Sequence, residues 1–217
     1  MALAGLAVLA GCSTARTGGE ASGESAPAVD TRAFEPSKTN KDPSKDIEGV
    51  VMTRYKPGHA RPGQRVAYDK LPPYGGQHDP YWADCSGTVY ATAVRNENMV
   101  HALEHGAVWV AYDPARVRGA AVQALAAKVD GQPYLMLSPY PKMGVAVSIQ
   151  SWGHQLKVPK PDDPRIDQFI TALRNNPYTT PESGAPCGTN PDSFDIANPP
   201  PLDPSPPGPD AAPVQGP

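Results

Sequence analysis

Apolar residues along the chain fall into short runs, separated by clusters of proline, glycine and polar residues, and the runs change period from one to the next. Residues 47–55 alternate enough to predict a strand, and residues 88–94 predict a second short one. Residues 96–105 read as a helix, with Asn96 as N-cap, Glu97 in the first turn and Gly106 as its stop. Residues 107–112 form a continuous apolar and β-branched run that predicts a buried strand, closed by Asp113-Pro114. In residues 115–129 the positions Val117, Ala121, Leu125 and Val129 share one helical face. Residues 134–137 and 144–149 predict two strands joined by a Ser138–Pro141 turn, and 155–158 extends the sheet. Residues 162–175 place Ile166, Phe169, Ile170 and Leu173 on one side of a last helix. This order predicts an α/β or α+β fold: a small mixed β-sheet packed with about three helices, in a single domain over residues 47–180.

Composition sets the limits of that domain. Proline and glycine make up 48 of 217 residues, which excludes a helical bundle or coiled coil. Twelve prolines lie in residues 181–217, so this stretch is expected as an extended Pro-rich tail. Residues 12–46 hold few large apolar side chains and are expected as a flexible tether, so both tails of the domain are expected to be disordered. Residues 56–80 carry five prolines and four glycines, a long irregular segment of the kind that bears function in a compact domain. The domain has 14 Lys+Arg against 11 Asp+Glu, and the flanks bring the chain to −3. No clustered basic face results, so nucleic acid is excluded as a partner.

Residues 1–11 are small and apolar and run into Cys12. The Leu9-Ala10-Gly11-Cys12 tetrapeptide resembles the bacterial lipobox, whose cysteine is acylated once the signal peptide is removed. Residues 1–11 are then a signal-peptide remnant, too short to span a bilayer, although no Lys or Arg precedes the apolar run. A short buried helix or a disordered terminus ending in cysteine is the alternative. A lipid anchor at Cys12 makes the membrane a partner and places the domain on the extracytoplasmic face of the cell membrane. In that oxidising space Cys85 and Cys187 become a natural disulfide pair; two free thiols, or Cys85 as a metal ligand, are the other readings.

The sharpest chemical feature is His101-Ala102-Leu103-Glu104-His105. Helical positions i and i+4 share a face, so both imidazoles can reach one ion. Glu104 completes H-x-x-E-H, the inverted zincin spacing in which the glutamate is a general base. His78, in the Gly-rich loop between Tyr74 and Trp82, supplies a third ligand. Met143 is a possible thioether ligand for copper(I), whereas Met99 points away and Met136 reads as core. His59 and His154 lie in less distinctive settings, with His59 expected in solvent. A purely structural reading also stands: histidines at a helix C-terminus interact with its dipole and last carbonyls, and Tyr74, Tyr81 and Trp82 pack the loop.

Several segments together carry a resemblance: Leu71-Pro72-Pro73-x-x-Gly76-x-His78 with Trp82, Gly87-x-x-Tyr90, His101-x-Leu103-Glu104-His105-Gly106-x-Val108 running into Tyr112-x-Pro114, Ser138-Pro139-Tyr140, and Trp152-Gly153. They resemble the bacterial family known as domain of unknown function 3105, over roughly residues 50–175. The resemblance implies a membrane-anchored or secreted extracytoplasmic protein, here a lipoprotein, and implies no reaction. Its Gly-x-His and H-x-x-E-H elements match His78, His101, Glu104 and His105, and it implies that Trp152 walls the site. Cys85, Cys187 and Met143 fall outside its pattern.

The expectation is therefore an extracytoplasmic lipoprotein that binds copper or zinc through His78, His101 and His105, for metal capture, delivery or sensing. Two alternatives remain open: a zinc-dependent hydrolase with Glu104 as base, and a module that uses the aromatic loop and Pro-rich tail to engage an envelope protein.

Overall fold

A six-stranded mixed sheet organises this computed structural model, which describes residues 1–2 and 29–215. The expected signal remnant beyond Ala2, Cys12 and the first part of the tether lie outside the described residues. The strands are Val51–Met52 (β1), Gly58–His59 (β2), Val66–Ala67 (β3), Gln77–His78 (β4), Ser86–Val89 (β5), Val108–Tyr112 (β6), Leu135–Pro139 (β7), Val147–Ser151 (β8), His154–Val158 (β9) and Ala212–Pro213 (β10). The helices are Asn96–Glu104 (α1), Ala120–Val129 (α2) and Arg165–Leu173 (α3). The sheet runs β1-β9-β8-β6-β7-β5, with β5, β7 and β6 parallel and the β6, β8, β9, β1 side antiparallel. The fold is mixed α+β.

Strands β6 and β7 are buried on both faces, which is why their sequences are continuously apolar rather than alternating. Their side chains divide by the strand period of two. Val108, Val110, Leu135 and Leu137 pack with Leu125 and Val129 of α2 and with Ile166, Phe169 and Leu173 of α3. Trp109, Ala111 and Met136 face the other way, into a second core with Met99, Val100 and Leu103 of α1. Each large apolar side chain so buried contributes about 1.5–3 kcal/mol, and the sheet is thereby fixed between two apolar layers.

Local chemistry trims the expected elements. The strand expected over 47–55 pairs only at Val51 and Met52, opposite Gln155 and His154. The helix expected from residue 115 begins at Ala120, because Asp113 closes a turn first: its carboxylate accepts from Ala115 N (3.0 Å) and its carbonyl from Val117 N (2.9 Å). Glycine at position 106, with φ +102, ends α1 as expected.

Both flanking stretches run along the domain. Residues 31–46 lie against α3, with Phe34 packed on the core, Pro43 and Ser44 buried, and Lys41 O accepting from Asn176 Nδ2 at 2.9 Å. Residues 181–215 form a strap. Cys187 is disulfide-bonded to Cys85, Phe194 is 2% exposed, Arg65 Nη2 donates to Ser205 O at 2.8 Å, and β10 pairs in parallel with β3. Proline content makes the strap extended, but a few apolar anchors and long-range hydrogen bonds suffice to dock it. Among the described residues no helix is long and apolar enough to cross a membrane.

Candidate metal centre

The irregular 56–80 segment folds back through one short parallel pairing, β2 with β4, which sets His59 directly opposite His78. Helix α1 brings the second half of the site. Met99, Val100, Ala102 and Leu103 are fully buried in the core, so the helix is held in place, and His101 lies against the β2–β4 corner. Its last turn is short. His105 is the C-cap residue, its N–H returning to His101 O at 3.3 Å, and Gly106 follows in a conformation that suits glycine.

Imidazole rings then line up along this corner. Centroids are 5.0 Å apart for His59 and His78, 4.7 Å for His78 and His101, and 4.7 Å for His101 and His105. Trp82 lies against His101 (5.4 Å) and His105 (4.8 Å), and Trp152 meets His78 edge-on at 5.8 Å. His78, His101, Glu104 and His105 are all at most 4% exposed, whereas His59 is open to solvent.

The backbone fixes which nitrogen each buried ring offers. His78 Nδ1 lies 2.9 Å from Gly76 O, His101 Nδ1 2.7 Å from Asp79 O, and His105 Nδ1 2.8 Å from Pro186 O. A carbonyl only accepts, so each Nδ1 carries a hydrogen, and in the neutral ring each Nε2 then presents a lone pair. That is the arrangement by which an outer partner orients a metal-binding histidine. His78 Nε2 is buried without a hydrogen-bond partner; Glu104 Oε2 lies 2.9 Å away but off the line of a hydrogen bond. Burial, with His78 adding to it, pushes His101 down to a pKa of about 3, against the opposing effect of its Asp79 contact. His101 is thus neutral at any physiological pH.

Two donor sets result. One ligand atom each from His59, His78, His101 and Glu104 lie within 4.8 Å of one another, and so do those from His101, His105 and Glu182. Bonds of about 2.0–2.1 Å to a tetrahedral ion hold donors about 3.3 Å apart, so side-chain shifts of about an ångström close either set. His78, His101 and His105, expected together, do not converge on one point; His101 is common to both sets.

Asp79 and its surroundings keep this geometry. The Asp79 carboxylate accepts from Arg95 Nη1 (2.6 Å), Gly63 N (2.8 Å) and Tyr81 N (3.0 Å), while its carbonyl holds His101. Arg95 also reaches Glu97 at 3.2 Å, and Asn98 Nδ2 donates to Tyr81 O at 2.7 Å. The loop is therefore stapled to the first turn of α1. Gly76, at φ +98, carries the carbonyl for His78, and an added Cβ would meet Val214 Cγ2 at 2.6 Å.

The other expected residues lie elsewhere. Met143 lines a cleft of about 460 Å³ with Asn96, Glu97, Tyr140 and Leu202, and none of the histidines lines that cleft. Cys85 and Cys187 form a disulfide, which removes Cys85 as a ligand. His154 pairs with Asp42 at 3.3 Å, and His154 Nδ1 lies 2.6 Å from Trp152 O. Two members of the site escaped the sequence. His59 has no local signal beyond a preceding glycine, and becomes a neighbour of His78 only through the β2–β4 register. Glu182 belongs to the strap, where Glu182 N donates to Glu104 O at 3.1 Å.

Residues 59–189 match the sequence profile of a family described as protein of unknown function (DUF3105). No curated protein matches the chain. No solved structure matches it.

Proposed function

This chain belongs to the DUF3105 family, whose description names no reaction, and we propose that it uses the histidine corner to bind a divalent transition metal, copper or zinc, as cargo for capture, delivery or sensing. One observation carries the reading: three buried imidazoles donate Nδ1–H to backbone carbonyls and leave their Nε2 lone pairs free, one of them with no partner at all. A proton on His78 Nε2 would lack an aligned acceptor, whereas a cation between His78 and Glu104 satisfies both groups. Imidazole and carboxylate donors without a thioether favour zinc(II) or copper(II) over copper(I). The Leu9–Cys12 lipobox supports an anchored position outside the cytoplasmic membrane, and the Cys85–Cys187 disulfide fits an oxidising compartment.

Hydrolysis finds less support. Glu104 is 3% exposed and its carboxylate lies against His78, so it has neither an approach for substrate nor freedom to serve a bound water. An aromatic docking loop is also weakened, since Tyr74 is 1% exposed and Trp82 packs on the histidines, which leaves Tyr81, at 43%, as the exposed ring of the three rather than part of an aromatic patch.

Metal analysis of the purified chain after gel filtration at neutral pH tests the proposal. One equivalent of zinc or copper is expected, falling to background in His78→Ala and His101→Ala. Wild-type protein without stoichiometric metal after incubation with either ion would sink it.

A further inference from the structure

The two donor sets differ in a way that assigns them different tasks. His78, His101 and Glu104 are buried and, with His59, offer four protein donors, enough to close a tetrahedral shell. His101, His105 and Glu182 offer three and leave a fourth position open. Glu182 is the exposed member, with half of its side chain in solvent and its Oε2 3.5 Å from His105 Nε2. Because Pro186 O holds the His105 Nδ1 hydrogen, the neutral ring turns its Nε2 lone pair toward this carboxylate, where a cation would satisfy both groups.

His101 belongs to both sets but has one free nitrogen, since its Nδ1 is committed to Asp79 O. One imidazole lone pair cannot serve two ions. We propose that His101, His105 and Glu182 form an exchange station through which a single divalent ion enters and leaves the His59–His78–His101–Glu104 set. This rests on the metal reading above and deepens it. In release, the bonds from His78, Glu104 and His59 break as those to His105 Nε2 and the Glu182 carboxylate form, while the His101 Nε2 bond persists. The ion keeps its charge and no proton moves, because the incoming nitrogen already holds a free lone pair. The open fourth position then accepts a donor from the recipient, so the ion is passed on without becoming a free aquo ion. Trp82, lying across His101 and His105, shields the path between the two sets from solvent.

The test uses the full chain loaded with zinc(II), and follows stopped-flow transfer to a chromophoric chelator beside equilibrium stoichiometry. Wild type is expected to hold one ion. Glu182→Gln, an exposed change that leaves the fold intact, and His105→Ala are expected to keep that one ion yet slow transfer at least tenfold. His59→Ala, which opens the deeper shell, is expected to speed it. Two ions per chain would overturn the shared donor. Transfer rates unchanged or faster in both rim variants would overturn the station, as would complete loss of binding in His105→Ala, which would make His105 part of a single site. Absence of both zinc and copper from the wild type after incubation with each ion is a separate outcome, which removes the metal reading itself.

Discussion

Breaking the Cys85–Cys187 cross-link should cost this domain a large part of its margin of stability. The two cysteines are 102 residues apart in sequence, with Cα atoms 4.7 Å apart, and the strap reaches the sheet edge through them. Closing a loop of that length removes denatured-state entropy worth about 5 kcal/mol at 25 °C on the chain-entropy account, with about 2–5 kcal/mol usual for native disulfides. A domain of ordinary stability holds about 5–15 kcal/mol, so the loss is large but need not unfold it. The double variant Cys85→Ala/Cys187→Ala, compared with wild type in urea at neutral pH with chelator present, should show a midpoint lower by roughly 1–2.5 M for a slope of about 2 kcal/mol/M. Amide exchange should rise at Glu182 and Cys85, whose N–H groups bond to Glu104 O and Cys187 O. A midpoint shift below about 0.3 M with unchanged exchange would refute the view that the cross-link holds the strap.

Three further outcomes follow from the same structure. His101 has a folded-state pKa of about 3 against 6.5 when free, so the unfolded chain binds the extra proton between those values; stability is intact above about pH 6.5 and falls by about 1.4 kcal/mol per unit on acidification, and His101→Asn, which can still donate to Asp79 O, should flatten that slope in chelator-treated protein unfolded at pH 4 to 7. An unchanged slope would place the titration elsewhere. Gly76→Ala forces a side chain at φ +98 into Val214 and should destabilise by about 1–3 kcal/mol in urea melts, with weaker zinc binding through displacement of the His78 partner carbonyl; wild-type affinity would show that this carbonyl does not orient His78. Phe194→Ala, in the strap at 2% exposure and edge-on to Tyr90, should cost about 3–5 kcal/mol by the same assay, where a loose tail would lose almost nothing.

How far the sequence revealed this molecule depended on the range of each interaction. Helix α1 was legible to within a residue at each end, because Glu97 in its first turn and Gly106 at its stop are local signals, although Arg95 rather than Asn96 is its N-cap, and the same helix showed His101 and His105 on one face. Strands β6 to β9 were legible from short apolar runs. The histidine corner was legible only in part. His59 enters it through a two-residue parallel pairing with a strand 19 positions away, which no periodicity announces. Glu182 enters it from a stretch whose prolines indicate extension but say nothing about where the extended chain lies. The orienting carbonyls of Gly76, Asp79 and Pro186 are backbone atoms, invisible to any reading of side-chain types.

The two apolar layers also set a direction. Residues 31–46 approach along α3, on the side of the sheet covered by α2 and α3, whereas the histidines sit with α1 on the opposite side. A leash from Cys12 would therefore pull on the back of the domain. The imidazole corner would lie on the layer away from that attachment, where an ion donor or acceptor can reach it without meeting the leash.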